Sequence, residues 1–105
     1  MRAFTYAQVT TVGDATLAAH REPNAMFLAG GTTLVDLMKI DVLKPDKLID
    51  VGHLALAEIE VGDAEVRIGA NVRNSQLAWH PAIRDRFPVL SEALLSGATT
   101  QLRNR

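Results

Sequence analysis

The sequence predicts an α+β fold made of two unlike halves, and three observations carry that prediction. Short apolar runs alternate with helical patterns over residues 1–52, which reads as β-α-β-α-β and a small parallel sheet. Residues 58–68 then alternate apolar and charged residues around Gly62-Asp63, the pattern of an antiparallel hairpin. Three short helical segments follow, punctuated by Pro81, Pro88 and Gly97.

In chain order, Phe4 and Tyr6 alternate with smaller or polar residues as in a short strand. Thr11 followed by Asp14 marks a helix start with an acidic group in the first turn, and Val12, Ala15, Leu17, Ala18 and Ala19 supply its apolar face. Pro23-Asn24 turns the chain into a second strand over residues 25–29, expected to be of the fully buried kind. Gly30-Gly31 stops that strand, and Thr32-Thr33 opens a helix whose Leu34, Leu37 and Met38 fall at i, i+3 and i+4. Pro45 ends this segment before a third strand over residues 47–51, bearing Leu48, Ile49 and Val51. Beyond the hairpin, Asn74 is a candidate N-cap, Pro81 suits a helical first turn, and residues 88–96 form a last helix stopped by Gly97. Residues 99–105 are polar and add no closing element.

Composition narrows the function. Eleven Lys and Arg against 12 Asp and Glu leave a formal net charge of −1, so there is no electrostatic case for nucleic acid or an anionic membrane surface. The chain has no cysteine, which excludes a disulfide, an iron–sulfur cluster or a thiolate zinc site within it. Any redox role must use a bound cofactor. No window approaches the roughly 20 apolar residues of a membrane span, and the first residues do not form a signal peptide, so a cytoplasmic location is expected.

The chemistry concentrates at Phe27-Leu28-Ala29-Gly30-Gly31-Thr32-Thr33-Leu34. Glycines after a strand leave backbone N–H groups open to close approach, and a following helix start favours an anion such as a phosphate or pyrophosphate. The segment is neither a P-loop nor a G-x-G-x-x-G fingerprint. Alone it is outweighed by the plainer reading, in which glycine and hydroxyl residues only make the turn. His20, His53 and His80 lack helical metal spacing, and Asp36, Asp41, Asp46 and Asp50 are expected to be caps or solvated groups. Trp79 and Phe87 are expected to anchor the core. No side chain stands out as catalytic or as a metal ligand.

The order of motifs is more specific. Residues 27–39, Leu-Ile-Asp-Val (48–51), Arg-Ile-Gly-Ala (67–70), Pro-Val-Leu-Ser-Glu-Ala-Leu (88–94) and Gln-Leu-Arg-Asn (101–104) resemble, in the same order, the FAD-binding medium subunit of molybdenum hydroxylases, its aldehyde-oxidising branch above all. This is the group of xanthine dehydrogenase, aldehyde oxidoreductase and carbon monoxide dehydrogenase.

The resemblance implies a p-cresol methylhydroxylase/vanillyl-alcohol oxidase-like fold, with residues 1–52 as the FAD pyrophosphate-binding subdomain and 53–105 as the incomplete start of a second FAD-binding subdomain. It also implies FAD held by Phe27, Leu28, Ala29, Gly30, Gly31, Thr32, Thr33 and Leu34. Implied partners are a molybdopterin-binding large subunit and an iron–sulfur small subunit, with periplasmic export on a partner as the alternative location. Family members run on into a second glycine-rich loop, so the expected function is that of the N-terminal part of an electron-passing flavoprotein subunit. FAD binding by this chain alone is then expected to be weak or absent. The alternative is a packing or assembly module that no longer binds FAD by itself.

Overall fold

A computed structural model describes residues 2–97. The motif at residues 101–104 and the polar tail at 99–105 lie outside the described residues. The chain divides into two compact units, Met1–Ala55 and Leu56–Arg105.

The first unit runs β1 (Thr5–Gln8), α1 (Val12–Arg21), β2 (Ala25–Leu28), α2 (Leu34–Lys39) and β3 (Lys47–Asp50). Its three strands are all parallel in the order β1-β3-β2, with Tyr6 and Met26 flanking Leu48, and Gln8 and Leu28 flanking Asp50. For this order, right-handed crossovers put α1 and α2 on opposite faces of the sheet. The burial agrees, because the adjacent β3 residues Leu48 and Ile49, which point to opposite faces, are 3% and 0% exposed. The core of this unit therefore sits on the central strand, with Ala15 from α1 and Met38 from α2 also buried.

Being central, β3 takes the place in the core that its apolar run suits. The expectation of a fully buried β2 is corrected: β2 is an edge strand, its residues are at best half-buried, and Phe27 is 51% exposed. An apolar run of four residues does not reveal whether a strand has one neighbour or two.

Local chemistry at the helix ends follows the sequence in places. Thr11 Oγ1 accepts the Asp14 N–H at 3.0 Å and caps α1 as expected. The end of α2 has a device that Pro45 did not foretell. Asp41 adopts φ 57°, its N–H donates to the Met38 carbonyl, and the Val42 N–H donates to the Leu37 carbonyl. These are the two hydrogen bonds of a Schellman motif, with aspartate where glycine is commoner.

The second unit contains β4 (Ile59–Val61), β5 (Val66–Ile68), α3 (Asn74–Ala78), α4 (Pro81–Arg86) and α5 (Pro88–Gly97). β4 and β5 pair antiparallel as expected, closed by a Gly62 N–H to Glu65 carbonyl bond of 2.8 Å. The ladder continues irregularly, because Gly69 N–H donates to Glu58 and Asn71 N–H to Leu56. A Cβ at Gly69 would lie 2.1 Å from the Leu56 carbonyl oxygen, so only glycine lets these backbones approach.

Pro81 opens α4, where His80 Nδ1 accepts the Ala82 N–H. Asn74 is the first residue of α3 rather than its cap; Arg73 precedes it without a side-chain capping bond. The core consists of Leu77, Ala78 and Ile83, joined by the buried Ser91 hydroxyl, which donates to the Ala78 carbonyl at 2.5 Å.

The expectation for the two aromatic anchors is also corrected. Trp79 is 56% exposed and Phe87 is also exposed, because α3 turns Leu77 and Ala78 inward and leaves Trp79 at its end. Each ring instead lies under a guanidinium, Arg84 over Trp79 at 5.1 Å and Arg86 over Phe87 at 5.9 Å.

Candidate functional site

The carboxyl edge of the parallel sheet brings together the ends of β2 and β3, where open parallel sheets bind ligands. β2 delivers the chain to Ala29-Gly30, and Gly31 makes the turn at φ 79°, a conformation that strains a side chain. Space adds a second reason for glycine, since a Cβ would lie 3.1 Å from Val35 Cγ2 and 3.3 Å from Leu28 Cδ1.

The Gly31 carbonyl accepts from Val35 and the Thr33 carbonyl from Leu37, so the acceptors of this turn are committed to α2. The donors are not. The N–H groups of Gly30, Gly31, Thr32 and Thr33 have no hydrogen-bond partner among the described residues, and all but Gly31 belong to exposed residues.

One expectation fails in an informative way. The threonine hydroxyls were expected to open α2, yet Thr33, at its N-cap, makes no side-chain capping bond and holds φ −101°, ψ −48° rather than the extended geometry of a cap. Its backbone has already entered the helical region, so its Oγ cannot turn back onto the next N–H groups. The turn is thus left with donors and no internal acceptor for them.

Sequence reasoning overlooked a second feature of this edge. The Tyr6 hydroxyl donates to Asp50 Oδ2, and Asp50 Oδ1 accepts the Gly52 N–H at 2.9 Å. The Tyr6 hydrogen bond, then that from Gly52, holds the Asp50 carboxyl below the usual carboxylate range, helped by nearby His53 against slight desolvation. The same bond raises the Tyr6 phenol above its ordinary value, with slight desolvation and the Asp50 charge adding to it. Asp50 is thus a partnered carboxylate rather than a merely solvated one. The signal in the sequence was its place at the end of a strand, two residues before Gly52.

Of the histidines, His80 caps α4, which is a structural role. Asp46 pairs with Arg2 at 2.6 Å at the opposite, amino edge of the sheet. Phe27 to Leu34 thus form one continuous segment at the carboxyl edge, with Phe27 and Leu28 ending β2, Leu34 beginning α2 and residues 29–33 between them.

The family model describing the FAD binding domain in molybdopterin dehydrogenase matches residues 2–105. The chain belongs to that family. Within it, the chain is 55% identical over 106 residues to the aldehyde oxidoreductase FAD-binding subunit PaoB of Escherichia coli K12, covering 100% of this chain and 33% of that protein.

Among solved structures, a carbon monoxide dehydrogenase from Hydrogenophaga pseudoflava lacking the Mo-pyranopterin moiety of its cofactor matches with a TM-score of 0.92 at 33% identity. That match covers 98% of this chain and 37% of the other. Quinoline 2-oxidoreductase from Pseudomonas putida 86 matches with a TM-score of 0.90 at 25% identity, over 97% and 36% of the two chains. The chain therefore spans about a third of the length of these relatives. The α+β fold read from the sequence is that of this FAD-binding family.

The turn itself fits the pyrophosphate of FAD. Among the described residues its N–H donors at 30–33 have no partner, glycine lets a ligand approach the backbone there, and an anion satisfies such donors without a side chain.

Proposed function

We propose that this chain provides the pyrophosphate-binding part of an FAD-dependent subunit in a molybdenum hydroxylase, with Phe27, Leu28, Ala29, Gly30, Gly31, Thr32, Thr33 and Leu34 as the contact segment. The uncommitted N–H groups of residues 30–33 carry this reading, since they offer donors where the fold leaves them without acceptors. Gly31 keeps the turn open, while Phe27 and Leu28 hold it to the sheet edge.

Bound FAD supplies the redox chemistry, receiving electrons from a molybdenum and iron–sulfur relay and delivering them to an acceptor. The residues of this chain need only bind and orient it. No side chain at this edge has to act as a general acid or base, and the partnered Asp50 and Tyr6 resist changes of protonation near neutral pH.

Residues 1–105 contain no cysteine and so hold no iron–sulfur cluster themselves, which fits a molybdopterin-binding large subunit and an iron–sulfur small subunit as partners. The names of the relatives, a FAD-binding subunit and a medium chain among them, are consistent with this division of labour. Coverage of about a third of those relatives supports the further reading that the Leu56–Arg105 unit is part of a larger FAD-binding region.

The test is a titration of FAD and of ADP into the chain and into Gly31→Val, followed by calorimetry or flavin fluorescence. The β-branched side chain cannot adopt φ 79° without strain and crowds Val35 and Leu28, so the turn must rearrange. Binding is expected to weaken at least about tenfold, the loss of one or two charge-assisted hydrogen bonds. Equal affinity in both proteins would remove the pyrophosphate assignment.

A further inference from the structure

We propose that Tyr6 and Asp50 are positioning residues for the pyrophosphate turn, acting through the loop after β3 on the base of the Gly30-Gly31 junction. The proposal takes its ligand from the FAD reading above, but the geometry it describes exists without any ligand.

Two side-chain links join the β1 and β3 segments, one just before the strands begin and one within them. At the amino edge the Arg2 guanidinium meets Asp46, and at the carboxyl edge, four residues on in both strands, the Tyr6 hydroxyl meets Asp50. The two links lie about 13 Å apart along the strands, from a rise of about 3.3 Å per residue.

Only the second link continues into the site. Asp50 spends its other oxygen on the Gly52 N–H, which sets the turn after β3. The Val51 N–H within that turn donates to the Leu28 carbonyl at 2.9 Å, tying it to the last residue of β2. Leu28 in turn packs where the missing Cβ of Gly31 would be, and it shares a register row with Asp50 and Gln8. Tyr6, Asp50, Gly52, Val51, Leu28 and Gly31 thus form one contiguous path from the edge strand to the turn. Among the described residues, no hydrogen bond or ion pair joins Arg2 or Asp46 to that path.

If Tyr6 releases the carboxylate, Asp50 gains rotamer freedom, its hold on Gly52 loosens, and the Val51 to Leu28 bond loses its fixed donor. The expected consequence is a less ordered set of N–H donors at residues 30–33, hence weaker anion binding with little change in global fold, since Tyr6 is itself half exposed.

The experiment compares wild type with Tyr6→Phe, Asp50→Ala, Asp50→Asn and the amino-edge control Asp46→Asn. It records amide resonances in the ligand-free chain, FAD affinity, and thermal unfolding by circular dichroism. Tyr6→Phe and Asp50→Ala are expected to move the amide resonances of residues 51–53 and also of 30–33, and to weaken FAD binding about three- to tenfold. Asp50→Asn keeps an acceptor for Gly52 and gains a donor toward the Tyr6 oxygen, and is expected to restore most of both readouts. Asp46→Asn is expected to leave both at wild-type values.

The proposal is overturned if resonances at 30–33 stay in place when those at 51–53 move, or if Asp46→Asn disturbs the turn as much as Tyr6→Phe. A wild-type chain that takes up no FAD would overturn the FAD reading instead, and the ligand-free resonances would still decide the positioning role.

Discussion

In the Met1–Ala55 unit, Gly31 turns the backbone at φ 79°, and the N–H groups of residues 30–33 have no acceptor among the described residues. In the second unit, Gly69 brings two backbones so close that its own N–H and that of Asn71 are consumed by Glu58 and Leu56. Nearby polar groups follow the same division. The second unit commits His80 to the Ala82 N–H, Ser91 to the Ala78 carbonyl, and Arg86 to the Gly62 and Asp63 carbonyls. The first unit spends Tyr6 and Asp50 on shaping an edge while leaving the donors beside it unspent. Glycine stands at both places for steric reasons, yet in one it brings donors and acceptors together and in the other it lies among donors with no acceptor among the described residues.

The sharpest way to break this contrast is Gly69→Ala. A Cβ 2.1 Å from the Leu56 oxygen forces the backbones apart and sacrifices two hydrogen bonds, so a loss of about 3 kcal/mol or more is expected in urea denaturation, with the largest resonance changes at residues 56–58 and 69–71. A near-neutral result would mean that the close approach is not needed. Smaller is the effect of Ser91→Ala, which leaves the Ala78 carbonyl without its buried hydroxyl donor. It should cost about 1 kcal/mol in the same assay and leave FAD affinity unchanged.

Smallest is the pH dependence of the Tyr6–Asp50 bond, since both groups face solvent and water screens them. Asp50 titrates lower in the folded chain than in the unfolded one. Its contribution is therefore present above the ordinary carboxylate value of about 3.9 and fades as pH falls through the lowered value. Tyr6 is shifted upward, so its contribution is complete below about pH 10 and fades as pH rises through the raised value. Urea midpoints measured from pH 2 to 11 should show an acid arm that Asp50→Asn reduces and an alkaline arm that Tyr6→Phe removes. Unchanged arms in both variants would mean that the bond does not form in solution.

Much of the architecture was legible because it depends on neighbours along the chain. The alternation at residues 58–68, the Thr11 cap, Pro81 at a helix start and the spacing of Leu34, Leu37 and Met38 are local patterns, and each reappears in the structure. The glycine pair between strand and helix was legible for the same reason, since Gly31 does adopt the left-handed conformation that only glycine takes without cost.

The parallel sheet and the hairpin were also legible, but finer questions of which surface meets which were not. The edge position of β2, the exposure of Trp79 and Phe87, and the link from Tyr6 to Asp50 each join or separate residues far apart in sequence. Hydrophobicity states that a residue can be buried, not that a partner surface arrives to bury it.

By itself, then, the sequence determined the kinds of element, their order, and the presence of a turn able to offer backbone donors, because propensity, capping and left-handed geometry are settled within a few residues. Only the tertiary structure decided that β3 is central, that a tyrosine and an aspartate 44 residues apart shape the edge of the sheet, and that Thr33 leaves its helix uncapped. Those outcomes depend on strand order and register, which arise when distant segments compete for the same hydrogen bonds and the same apolar surface.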